Sequence, residues 1–242
     1  MQYVEIKDRH IEFRTREAYK TLRSNLGFCG SNVRVIAVTS CTPNEGKSEV
    51  SVELARSIAD NNNRVLMIDA DLRKSVMQEH FNSSKVAYGL SHYLTEQCSF
   101  QDAVCLTNMD KLDIIFSGPT TPTPSELLSS DIFGDLLDRA RQRYDYVIID
   151  TPPLGSVVDS AIIGRRCDGT VLVISSGDIS YRFAQNVIGQ LERAECKVLG
   201  CVLNKVQIGN GKGYYGKYYG KYYGKYYGQY YGNYGAYGHE KK

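Results

Sequence analysis

Val33-Arg34-Val35-Ile36-Ala37-Val38-Thr39-Ser40-Cys41-Thr42-Pro43-Asn44-Glu45-Gly46-Lys47-Ser48 is the stretch from which the rest of the chain can be read. A short apolar, β-branched run over 33–39 reads as a strand covered on both faces, and helical spacing begins at Lys47. A glycine-containing turn between strand and helix, closed by Gly-Lys-Ser, is the context of a phosphate loop. Backbone N–H groups and the helix N-terminus would cradle phosphates, Gly46 would allow close approach, Lys47 would reach the β/γ-phosphates and Ser48 would ligate Mg²⁺. The motif is relaxed, because Cys41 stands where the strict pattern has its first glycine.

Two further strand ends carry carboxylates. Leu66-Met67-Ile68-Asp69-Ala70-Asp71-Leu72-Arg73 ends with aspartates two residues apart, which puts both on one side of an extended chain. Tyr146-Val147-Ile148-Ile149-Asp150-Thr151-Pro152-Pro153 ends like a Walker B segment. Open α/β sheets bind ligands beyond the carboxyl ends of their strands, so Lys47, Ser48, Asp69, Asp71 and Asp150 are expected around one Mg-nucleotide.

Outward from these motifs, strands are expected over 33–39, 64–69, 112–116, 146–150, 170–175 and 198–204. Helices are expected over 47–60, 125–143 and 181–194. The predicted fold is α/β, a doubly wound, mostly parallel sheet of the P-loop NTPase type with helices on both faces. Residues 1–32 form an N-terminal segment whose amphipathic helix, over 11–29, has Phe13, Tyr19, Leu22 and Leu26 as its apolar stripe. Residues 33–208 form the P-loop domain, and residues 209–242 a tail.

The 242 residues, 42% hydrophobic and 23% charged, suit one α/β domain. Apolar runs are strand-sized, far short of the ~20 residues of a membrane-spanning helix, and the amino terminus does not read as a secretory leader. Seven cysteines without a Cys-x-x-Cys pair suggest neither a disulfide framework nor a zinc site, which fits a reducing cytoplasm. His10, His80 and His92 have no ligand-spaced partners and read as ordinary surface or loop residues, and Cys41 as a small residue tolerated in a turn.

The tail holds six lysines against one glutamate, leaving 23 Lys and Arg against 26 Asp and Glu in residues 1–208. A near-neutral body gives no reason to expect a nucleic-acid partner. Twelve of the nineteen tyrosines fall in a four-residue repeat, Tyr214, Tyr215, Tyr218, Tyr219, Tyr222, Tyr223, Tyr226, Tyr227, Tyr230, Tyr231, Tyr234 and Tyr237. With glycine every fourth residue and few apolar partners, the composition predicts disorder there.

The relaxed loop with Pro43, the Asp69-x-Asp71-x-Arg73 motif, Asp150-Thr151-Pro152-Pro153 and the terminal tyrosine cluster, in this order, resemble the bacterial tyrosine kinases of capsular and extracellular polysaccharide synthesis. Asn44 takes a position where that family usually has glycine. The family's Glu-x-x-Arg-x-x-Arg ring-assembly signature appears as Glu17, Lys20 and Arg23, lysine keeping the charge without the bidentate fork. The resemblance implies ATP and Mg²⁺ as cofactors and a nucleotide site over Pro43, Asn44, Glu45, Gly46, Lys47, Ser48 and Glu49. It implies metal ligation by Ser48, Asp71 and Asp150 and phosphorylation of the tail tyrosines between copies; Asp69 or Asp71 takes the tyrosine proton, the resemblance favouring Asp69. Asn204 ends the last strand, where its amide reads the base or simply turns the chain. The resemblance further implies a homo-oligomeric ring, a separate membrane adaptor that recruits the chain to the inner face of the plasma membrane, and a cognate tyrosine phosphatase.

Two other readings compete. A ParA- or MinD-like positioning ATPase would share the sheet, but carries a signature lysine five positions before the P-loop lysine, where this chain has Thr42. An RNA-binding or condensate-forming protein would rest on the Gly/Tyr/Lys tail alone.

Overall fold

Alternation along the central strands sets the layers. In the computed structural model, which describes residues 2–8, 10–82 and 86–206, Ile36 and Val38 enter one core cluster while Val35 and Ala37 enter another. Val65 and Met67 likewise separate from Leu66 and Ile68, as a period of two dictates for strands buried on both faces.

In chain order the elements are β1 (Gln2–Ile6), α1 (Phe13–Phe28), β2 (Val35–Ser40), α2 (Lys47–Ala59), β3 (Val65–Asp69), β4 (Phe81–Asn82), α3 (Leu90–Leu94), α4 (Phe100–Ala103), β5 (Cys105–Thr107), β6 (Leu112–Ile115), α5 (Pro124–Ser129), α6 (Asp131–Arg143), β7 (Tyr146–Asp150), α7 (Asp159–Arg165), β8 (Gly169–Ser175), α8 (Tyr181–Arg193) and β9 (Val198–Asn204). They belong to the first of two units, Met1–Lys205 and Val206–Lys242. The strand order is β4-β1-β5-β6-β3-β7-β2-β8-β9.

From β6 to β9 every pairing is parallel, with Ala37 beside Ile149 and Thr170 and Asp69 beside Asp150. The sheet is mixed only at its other side, where β1–β4 and β5–β6 pair antiparallel. Helices α1 and α2 cover one face through Leu26, Val52, Leu54, Ala55 and Ile58. Helices α3, α4, α6 and α7 cover the other through Leu90, Phe100, Phe133, Leu136 and Ile163, and α8 packs Val187 and Leu191 near Leu172 of β8. Each such fully buried side chain contributes about 1.5–3 kcal/mol relative to leaving it exposed.

The sequence expectations are corrected in three places. The single helix expected over 125–143 is two, because Ser130 adopts an extended conformation (φ −64°, ψ 158°) between α5 and α6. Phe13 is not part of the α1 stripe: it begins the helix and is 74% exposed, whereas Leu26 is buried and Tyr19 and Leu22 pack against the core. Residues ahead of the P-loop also supply β1, which alternates exposed Tyr3 and Glu5 with buried Val4 and Ile6 and is too short to stand out in the sequence. The twelve tail tyrosines and the end of the expected domain at 207–208 lie outside the described residues.

Candidate active site

Parallel pairing brings the ends of β2, β3 and β7 side by side, so the three sequence motifs meet. The P-loop leaves β2 at Ser40 and enters α2 at Lys47 through Gly46, whose φ of 87° is a left-handed conformation natural to glycine. A Cβ at Gly46 would also collide with the side-chain amide of Asn204. Asn44 has φ 65°, a conformation asparagine tolerates better than most residues. Cys41 is absent from the positive-φ residues, so its backbone does not require glycine; it is fully buried, and burial pushes its thiol up to about 12. That thiol is inert at neutral pH.

At the floor, Lys47 Nζ lies 3.2 Å from Asp150 Oδ2 and 3.8 Å from Asp71 Oδ2. Burial alone would lower the lysine's pKa, but the charges of Asp150 and Asp71 overcome it and raise it. Ser48 Oγ donates to Asp150 Oδ2 at 2.7 Å, and Ser51 Oγ is 3.0 Å from Asp150 Oδ1. Ser51 escaped the sequence reading because it lies beyond the Gly-Lys-Ser motif; its position one helical turn after Lys47 was the available signal.

The two carboxylates of the acidic loop differ. Asp69 is fully enclosed, its Oδ2 accepting from Ser75 Oγ at 2.5 Å and from the Ser117 amide at 3.1 Å. Burial, followed by the charge of Asp150, pushes Asp69 up to about 7 despite those hydrogen bonds. Asp71 keeps a small exposure, faces Lys47, and accepts from the amides of Lys74 (2.9 Å) and Arg73 (3.3 Å).

The remaining expected residues are placed as follows. Glu45 is buried, with Oε1 2.5 Å from the Thr42 amide and Oε2 2.9 Å from the Ser175 amide at the end of β8. Asn204 Nδ2 donates to the Glu45 carbonyl at 2.9 Å, and Lys205 Nζ to the Asn44 carbonyl at 2.5 Å. Pro43 and Asn44 are exposed at the loop's crown. Glu49 is exposed on α2, and its charge bears on Tyr19 of α1, whose phenol is raised chiefly by burial. On α1, Lys20 pairs with Glu17 at 2.7 Å and Arg23 Nη1 donates to the Ser57 carbonyl of α2 at 2.6 Å, so these side chains already have partners within the chain.

The donor set suits magnesium: a serine hydroxyl and a carboxylate are hard oxygen ligands, and Mg²⁺ takes few protein ligands beside water and phosphate. Among the described residues no three His, Cys, Asp or Glu side chains form a metal cluster of their own.

A phosphate loop between β2 and α2, with an aspartate closing the adjacent strand, defines a P-loop nucleotide-binding protein. The family profile described as an AAA domain matches residues 33–196. The septum site-determining protein MinD of Pyrococcus horikoshii shares this fold, with a TM-score of 0.62 over 73% of this chain and 72% of its own at 19% identity. More particular likeness lies elsewhere. The chain is 39% identical over 222 residues to the tyrosine-protein kinase CpsD of Streptococcus pneumoniae, covering 89% of this chain and 98% of that protein. It matches the kinase domain of the Escherichia coli tyrosine kinase ETK at 29% identity with a TM-score of 0.75, over 88% of this chain and 95% of the other. The chain belongs to the bacterial tyrosine-protein kinase family.

Proposed function

We propose that this protein is an ATP-dependent protein-tyrosine kinase that phosphorylates the C-terminal tyrosines of neighbouring copies and thereby regulates capsular or extracellular polysaccharide polymerisation and export. The observation that carries this reading is the convergence of Lys47, Asp71 and Asp150 within one ion-paired cluster, in a chain whose sequence ends in twelve tyrosines.

In this reading the P-loop amides and Lys47 bind the phosphates of ATP, while Ser48 and Asp150 hold Mg²⁺, with Asp71 beside them. When bound, the metal neutralises charge on the transferring group. Asn204 sits at the loop's flank, where its amide could face the base. A phenol of pKa ~10 is a weak nucleophile at pH 7, so a carboxylate must accept its proton. Asp71 suits that task better than Asp69, because Asp69 is fully enclosed with its Oδ2 held by Ser75 and the Ser117 amide, whereas Asp71 keeps a small exposure. Asp69 holds the loop.

We assign Glu17, Lys20 and Arg23 to a ring contact, and propose a cytoplasmic protein recruited to the inner face of the plasma membrane by an adaptor chain and reset by a tyrosine phosphatase. Among the described residues no helix is long and apolar enough to cross a membrane.

Mass spectrometry of the purified protein after incubation with Mg-ATP tests the reading. Phosphate is expected on the tail tyrosines and none in Lys47→Ala alone. Tail phosphorylation of Lys47→Ala should return when it is mixed with active enzyme lacking 209–242. Phosphotyrosine at wild-type level in isolated Lys47→Ala would overturn it.

A further inference from the structure

Asp159, a residue no motif singled out, has a fully buried carboxylate at the start of α7. Its Oδ2 accepts from Arg73 Nε at 2.7 Å and its Oδ1 from Arg73 Nη2 at 3.1 Å, a bidentate pair. Ser125 Oγ in the first turn of α5 donates to Oδ1 at 2.6 Å and lies 3.1 Å from Arg73 Nη2, which closes a three-residue ring. Burial opposes ionisation of Asp159, but these hydrogen bonds overcome it and hold its pKa below the ordinary carboxylate value.

The ring joins three segments far apart in sequence: the acidic loop after β3, the start of α5 and the start of α7. The acidic loop is tied to β7 at its start, where the Ala70 amide donates to the Asp150 carbonyl at 2.8 Å, and the hydrogen bonds that follow are local. Asp71 Oδ1 accepts from the amides of Arg73 and Lys74, and Ser75 returns to Asp69. Leu72 is buried in the core at the loop's start; beyond it the Arg73 side chain supplies the anchor to α5 and α7. Arg73 is two residues from Asp71 within one turn that closes on the Asp71 carboxylate, so a displacement of one by about 1 Å is carried to the other. A misplacement of that size can lower a rate about 10²-fold. The Arg73 side chain is 40% exposed, and an ion pair open to water on one side contributes little to stability. Holding geometry explains this one better.

We propose that Asp159 is a positioning residue which, through Arg73, fixes the loop that carries Asp71 against Lys47. The inference rests on the kinase reading, in which Asp71 serves the tyrosine acceptor. Because Arg73 and Asp159 act as one unit, removing both should cost no more than removing either.

The test compares Asp159→Asn, Arg73→Lys, their double variant and Ser125→Ala in the full chain. The kcat for tail-tyrosine phosphorylation at saturating ATP is set beside the Kd of a fluorescent ATP analogue with Mg²⁺ and the melting temperature. Asp159→Asn and Arg73→Lys are each expected to lower kcat at least ~10-fold with Kd within ~2-fold of wild type, and the double variant to be no slower than the worse single. Ser125→Ala, which trims one hydroxyl, should lower kcat several-fold and melt near wild type. If Asp159→Asn does not fold, Arg73→Lys and Ser125→Ala are judged by the same split. Unchanged kcat, multiplicative losses in the double variant, or a weakened Kd matching the lost kcat would each overturn the inference. A wild-type chain that binds the analogue but leaves its tyrosines unmodified would instead overturn the kinase reading.

Discussion

The side-chain amide of Asn204, at the end of the last strand, donates to the main-chain carbonyl of Glu45 in the P-loop across 2.9 Å. The Glu45 carboxylate in turn accepts from the Ser175 amide at the end of β8 and from the Thr42 amide. The P-loop is therefore fastened from outside, the Glu45 carboxylate by the end of β8, the Glu45 carbonyl by Asn204 and the Asn44 carbonyl by Lys205 just after β9.

Both Glu45 oxygens accept from backbone N–H groups, so Glu45→Gln must set an NH₂ against one of them. A buried mismatch of this kind costs about 1–3 kcal/mol. Glu45→Gln should weaken Mg-ATP binding about tenfold or more in calorimetric titration, and an affinity equal to wild type would remove Glu45 from loop positioning.

Lys47 compensates the buried charge of Asp150. Lys47→Ala should reduce tyrosine phosphorylation by at least ~10²-fold and also destabilise the chain by about 3–5 kcal/mol, because a buried carboxylate is left without its cation. Adding Asp150→Asn should restore much of the stability and none of the activity. Urea denaturation separates the two effects, and a double variant no more stable than Lys47→Ala would contradict the pairing.

Ser51 Oγ lies 3.0 Å from the second Asp150 oxygen and 2.9 Å from the Lys47 carbonyl, so its one proton is shared between supporting that carboxylate and closing the helix turn. Ser51→Ala should lose about 1–2 kcal/mol of stability and raise the Mg²⁺ requirement of the kinase less than Ser48→Ala does. The comparison is a magnesium titration of both variants; equal shifts would mean that Ser51 also serves as a direct ligand.

Asp69 has a pKa raised to about 7 in the folded protein, above its value of ~3.9 in an unfolded chain. Protons therefore bind the folded state more tightly, so its contribution is fully present below about pH 4 and is lost as pH rises through about 7. In nucleotide-free protein, the melting temperature of wild type should fall relative to Asp69→Asn between pH 5 and pH 8. Parallel melting curves for the two across that window would show that Asp69 does not titrate there.

The tail begins with about five net positive charges, and each phosphate adds −1.5 to −2. Three or four phosphotyrosines reverse its sign, which disfavours its approach to the carboxylates of a neighbour's site. Rings formed by unphosphorylated protein should dissociate toward monomers after Mg-ATP treatment and re-form after phosphatase treatment. Native mass spectrometry reads this directly, and a mass indifferent to phosphorylation would refute the coupling.

The chemistry of the site was legible in the sequence because it is written in contiguous residues. A strand, a glycine turn and a helix start are local structures, so 33–48 announce a phosphate loop without reference to anything distant, and an aspartate that ends an apolar run is marked by its position. The central sheet followed from the same runs. What only the tertiary structure decided depends on side chains that meet across long sequence separations. Arg73 and Asp159 are 86 residues apart and Glu45 and Asn204 are 159, and no local pattern signals which partner a buried carboxylate will find. The break at Ser130 and the exposure of Phe13 belong to the same class, since helical spacing states which residues could share a face and only packing decides which face is covered. The unequal surroundings of Asp69 and Asp71 were decided in the same way: two aspartates at i and i+2 are equivalent in the sequence, and the fold encloses one beside Ser75 and Ser117 and leaves the other facing Lys47.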